Sequence, residues 1–108
     1  MKQYDLYGSN QMIDVVRTSV ERALGVTFFS YQSEYLGGEY FMAGQTGREN
    51  VVIQQNLEEP DESENGYAER EFASYSVVVY VNATERGDVI HSNLLSSGDL
   101  VFLRRSVL

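Results

Sequence analysis

A chain of 108 residues with 16 carboxylates against eight lysines and arginines carries a net charge of −8. Such a charge repels nucleic acid and anionic membranes and attracts basic proteins. The absence of cysteine excludes disulfide frameworks, thiolate metal sites and cysteine nucleophiles. It fits a reducing cytoplasm, although a cysteine-free chain can also be exported.

The length suits one domain around one hydrophobic core, and an apolar fraction of 43% is globular. No apolar run of signal-peptide length follows Met1–Asp5. The longest such run, Val77 to Val81, falls far short of the roughly 20 residues that cross a bilayer.

The first predicted element is a helix. Ser9 or Asn10 is the expected N-cap, and Ile13, Val16, Val20, Ala23 and Leu24 recur at helical spacing, drawing one apolar stripe. Gly25 stands where a left-handed residue ends a helix, with Val26 as its hydrophobic contact.

From Val26 the period changes to two, predicting a strand to about Ser33. Leu36-Gly37-Gly38 turns the chain, Glu39 to Ala43 returns, and Gly44 to Asn50 turns it again. Val51 to Gln55 is a third strand. Residues 57–73 form an acidic surface loop, whose Pro60 and Asn65-Gly66 are turn chemistry.

Tyr75 to Val81 is the most apolar strand, expected near the centre of the sheet. Asn82-Ala83-Thr84 ends it, and Thr84 or Asp88 caps a short second helix carrying Ile90 and Leu94. Ser96-Ser97-Gly98 stops that helix, and Asp99 to about Arg105 is the last strand. The order α-β-β-β-β-α-β implies a single α+β domain over residues 1–108, with a mostly antiparallel sheet and its helices packed on one face.

The residues that could carry chemistry do not converge. His91, the one histidine, has no second histidine for a metal site and is read as a hydrogen-bonded or solvent-facing helix residue. The serines lack a nucleophile-elbow context. Asp61-Glu-Ser-Glu-Asn-Gly resembles a calcium loop in composition but lacks its ligand spacing. The glycines have no phosphate-loop spacing, and Arg104 and Arg105, adjacent on a strand, point to opposite faces. The expectation is no catalytic residue, no metal and no cofactor, hence a protein that is not an enzyme.

One segment is unusual. Residues 58–71 hold seven carboxylates and one arginine, a net −6 of the total −8. Burying so many unpaired carboxylates would cost several kcal/mol or more for each, so they lie in water or face something positive. One reading is a solubilising insertion. The other is an electrostatic footprint for a basic protein, in which charge speeds encounter and aromatic anchors hold the complex. The partner-binding candidates are Glu58, Glu59, Asp61, Glu62, Glu64, Tyr67, Glu69 and Glu71. Around the first hairpin they are Glu34, Tyr35, Glu39 and Tyr40, with Tyr31 close by.

The stretches Arg22-Ala-Leu-Gly-Val-Thr-Phe, Tyr35-Leu-Gly-Gly-Glu-Tyr-Phe, Val52-Ile-Gln-Gln-Asn and Val78-Val-Tyr-Val-Asn-Ala-Thr-Glu-Arg resemble small bacterial immunity proteins of contact-dependent inhibition and other polymorphic toxin systems. The resemblance spans most of the chain and rests on strand ends and turns; no toxin-contacting residue set is matched. It implies a cytoplasmic antidote that occludes the active site or an adjacent exosite of a basic toxin domain such as a nuclease. The chain is expected to be a monomer rather than a homodimer. A surface of carboxylates can imitate the phosphate backbone such an enzyme holds. The competing reading is an acidic secretion chaperone or another non-catalytic interaction adaptor.

Overall fold

In the computed structural model, described for residues 1–33, 38–56 and 68–108, the apolar stripe forms helix α1 (Ile13–Leu24). Gly25 ends it at φ 66°, its N–H donating to the Glu21 carbonyl at 2.8 Å, as a left-handed cap does. The helix starts later than expected. Met12 is the N-cap residue and no side chain caps it. Ser9 instead accepts from the Gln11 N–H, and Asn10 accepts from the Ser76 N–H, so these two residues fasten neighbouring chain rather than α1.

Ahead of α1 lies a strand absent from the sequence reading, β1 (Gln3–Ser9). After it come β2 (Phe29–Ser33), β3 (Gly38–Gly44), β4 (Asn50–Gln55), β5 (Val77–Thr84), α2 (Gly87–Leu95) and β6 (Val101–Val107). The expected order is thus present from α1 onward. The strands form one six-stranded sheet, β2-β3-β4-β5-β1-β6, antiparallel at every pairing. The fold is α+β.

β5 occupies the interior of the sheet, with Val77, Val78, Val79 and Val81 buried, which accounts for its continuous apolar run. It continues through Asn82-Ala83-Thr84 instead of ending there. α2 is capped by neither predicted residue. Thr84 accepts from the Arg86 N–H in the turn before it, and Asp88 lies in its first turn, paired with Arg105.

Both helices cover the same sheet face. Val16 and Val20 of α1 and Ile90 and Leu94 of α2 pack with Tyr7, Phe41, Ile53, Val79 and Val81. Each fully buried aliphatic side chain stabilises the fold by roughly 1.5–3 kcal/mol relative to exposure.

The opposite face is covered only in part. Tyr75 lies across β1 so closely that a Cβ on Gly8 would fall 2.7 Å from its ring. Here a glycine is required for approach rather than for conformation. Phe72 lies beneath the Arg104 guanidinium, 6.0 Å from the ring centre. Among the described residues this cover ends before β3 and β2, where Phe29 is 64% exposed and Tyr31 41% exposed.

Candidate functional site

Antiparallel register places the open-face side chains in two rows. One runs Tyr31–Tyr40–Gln54–Val78–Gly8, the other Phe29–Met42–Val52–Tyr80–Leu6. In the first, the rings of Tyr31 and Tyr40 stack with centres 5.5 Å apart and planes 22° from parallel, a cross-strand aromatic pair. In the second, Phe29 and Met42 lie side by side. Together they make an aromatic surface over β2 and β3 whose neighbours toward β1 are already covered.

The acidic segment is rooted at the same end of the sheet. Asn56 lies two positions beyond Gln54, the residue opposite Tyr40. It is 1% exposed, and its side chain works as a clip. Oδ1 accepts from the Glu69 N–H at 2.8 Å, while Nδ2 donates to the carbonyls of Phe72 at 3.1 Å and Tyr75 at 2.9 Å. The chain therefore leaves β4 and returns at Glu69 within hydrogen-bond reach of its departure point.

The predicted partner-binding residues divide into three groups. Glu58, Glu59, Asp61, Glu62, Glu64, Tyr67, Glu34 and Tyr35 lie outside the described residues. Glu71 and Glu39 are exposed. Glu39 crosses to the neighbouring strand, its Oε2 accepting from the Ser30 hydroxyl at 2.6 Å, and Tyr40 is half-buried in the stack.

Glu69 behaves differently from Glu71. Its side chain is 17% exposed and accepts from the Tyr80 hydroxyl at 2.7 Å and from Arg104 at 3.2 Å. It ties the segment to the open face, so its charge is compensated within the fold. Phe29 and Met42 were missed by sequence reasoning. Period-two alternation carried the signal of both, because Phe29 shares a face with Tyr31 on one strand and Met42 with Tyr40 on the next.

His91 is hydrogen-bonded, as expected: Nδ1 lies 3.0 Å from the Tyr7 hydroxyl, and Phe102 stands edge-on to its ring at 4.8 Å. Tyr7 is fully buried. Burial first, then the Asp5 carboxylate, push its phenol far above the usual tyrosine range, so it stays neutral. The pair is a satisfied polar contact between sheet and α2.

Among the described residues no group of three or more histidines and carboxylates is placed to hold a metal ion. A cavity of about 300 Å³ between the helices is lined by Ser19, Arg22 and Asp99, and within it Ser19 donates to Asp99. Another, of about 280 Å³, has Glu49 and Arg86 at its wall over Ala43, Val51 and Ile90. Arg86 grips Glu49 through Nε at 3.0 Å and Nη2 at 2.7 Å.

Among the described residues no helix is long and apolar enough to cross a membrane. No protein-family model matches the chain, and no curated protein matches it in sequence.

Proposed function

We propose that this chain is an immunity protein of a toxin system, one that binds a basic toxin domain, such as a nuclease, in the cytoplasm and occludes its active site or an adjacent exosite. It acts by binding, with no reaction of its own. The observation that carries this reading is the placement of the stacked Tyr31–Tyr40 pair beside Asn56, from which the most acidic part of the chain departs.

Charge raises the rate of encounter, and rigid aromatic rings supply the desolvated centre that charge alone lacks. Exposed Phe29 and half-buried Met42 extend that centre. The carboxylates that follow Asn56 in the sequence suit a groove shaped for phosphates.

The test is titration of this protein against a basic toxin domain encoded beside it, with nuclease activity as a second readout. Sub-micromolar affinity, an association rate falling with salt and loss of nuclease activity at one equivalent are expected. Tyr40→Ala should weaken binding by about 2 kcal/mol. Full neutralisation by a protein carrying both Tyr40→Ala and charge reversals at Glu58, Glu59, Glu62 and Glu64 would overturn the reading.

A further inference from the structure

The two edges of the sheet are unlike. β6 carries Arg104 and Arg105, and its register against β1 is broken by a bulge between Leu6 and Tyr7; charges and bulges of this kind discourage pairing with another chain. β2, at the other edge, reads Phe-Ser-Tyr-Gln-Ser. It has no charge, no proline and no bulge in its register with β3. No further strand lies on its outer side among the described residues, so alternate backbone N–H and C=O groups face away from the sheet, ready to pair.

We infer that β2 is a strand-addition site, and that its occupant is an extended segment of a basic protein partner with alternating character. This rests on the reading above that such a partner is bound. The chemistry of both faces selects the occupant. On the open face Phe29 and Tyr31 offer exposed aromatic surface to apolar side chains of an added strand.

On the helix-covered face Ser30 stands between them, and the exposed Glu39 carboxylate leans over it from β3. A lysine or arginine opposite Ser30 would meet that carboxylate, in a chain of net charge −8. A second copy of this chain fits less well, since antiparallel pairing centred on Ser30 brings two Glu39 carboxylates together.

The experiment uses a blocked synthetic peptide of about nine residues, the length of an ordinary strand, alternating lysine and valine. A shuffled peptide of the same composition is the comparator, and amide chemical shifts and hydrogen exchange of this protein are the readout. Expected are shifts and slowed exchange concentrated at Phe29–Ser33, with the shuffled peptide weaker by about tenfold or more. Phe29→Glu separates pairing from charge attraction. It should weaken binding if apolar side chains lie beside Phe29, and strengthen it if charge alone draws the peptide. Glu39→Gln should reduce the preference for lysine over glutamate in the peptide.

Absence of binding, equal binding of the shuffled peptide, or tighter binding by Phe29→Glu overturns the inference. So does a concentration-dependent dimer in sedimentation that Phe29→Glu dissolves, which would put a second copy on the strand. Failure here is distinct from failure of the functional reading. A toxin domain neutralised without perturbing β2 amides sinks strand addition alone, whereas peptide pairing at β2 with no toxin neutralised sinks the immunity reading alone.

Discussion

Asp5 and Arg105, a hundred residues apart in sequence, form a two-pronged ion pair between β1 and β6. Nε meets Oδ1 at 2.8 Å and Nη2 meets Oδ2 at 2.9 Å. The Asp5 side chain is fully buried, and Arg105 also reaches Asp88 of α2 at 3.1 Å. The hydrogen bonds to Asp5 hold the guanidinium pKa above even its usual high value. One arginine thus links two strands and a helix.

Removing Asp5 takes from Arg105 its buried, two-pronged partner and leaves it only the exposed Asp88. Asp5→Ala should cost about 3 kcal/mol of unfolding free energy, measured by urea denaturation. Replacing both partners, Asp5→Leu with Arg105→Met, should cost less than the two single changes added together. Additive losses would mean that the two groups do not act as a pair.

Asn56 makes a comparable contribution with no charge. Asn56→Ala leaves the Tyr75 carbonyl and the Glu69 N–H without the Asn56 side chain, and leaves the Phe72 carbonyl only the Tyr75 N–H. A loss of about 2 kcal/mol is expected, with amide exchange accelerating across residues 68–76 ahead of the sheet. Unchanged exchange there would show that the segment is held by its other contacts.

Glu49 supplies a pH dependence. Its hydrogen bond with Arg86 lowers its pKa below the ordinary glutamate value, burial opposing and the Thr84 hydroxyl assisting. A carboxylate depressed in the folded state binds protons more readily when unfolded. Its contribution is therefore complete above the ordinary glutamate pKa and is lost as pH falls through the lowered value. Because the pair is partly exposed, the contribution is small, about 0.5 kcal/mol. Glu49→Gln should lower stability at neutral pH by about that amount and leave it unchanged in acid, which flattens the acid limb of a stability–pH curve. An unaltered acid limb would assign it to other carboxylates.

Glu69 and Glu71 should separate in their effects. Glu69→Gln weakens ties to Arg104 and Tyr80 and should lower stability by about 1 kcal/mol. Glu71→Lys, at an exposed site, should leave stability within about 0.5 kcal/mol and slow association with a basic partner. Thermal melts and stopped-flow association rates read the two effects independently. An equal loss of stability from both changes would contradict the contrast.

Local pattern carried far in this protein. The stripe through Val16 and Val20, the left-handed glycine at Gly25 and the apolar run of β5 each follow from spacing or backbone sterics, so α1, the following strands, α2 and β6 were legible. Their ends were less so. Caps at Ser9, Asn10, Thr84 and Asp88 went unmade because those side chains found partners elsewhere: Ser9 with Gln11, Asn10 with Ser76, Thr84 with Glu49 and the Arg86 N–H, and Asp88 with Arg105. β1 left no clear pattern. It places a carboxylate at Asp5 and a glycine at Gly8, both poor strand formers in isolation, and only Arg105 and the Tyr75 ring make them suitable there.

By itself the sequence determined the class of fold, the helix-covered face and the concentration of charge between β4 and β5, because periodicity and composition are local properties. Which carboxylates are already compensated, which tyrosines stack, and which strands form the two edges of the sheet were decided only by tertiary structure. Those depend on partners brought together from distant positions: Glu69 with Arg104, Tyr31 with Tyr40, Asp5 with Arg105. Pairing across a sheet is set by register between strands, and no window along the chain contains both sides of it.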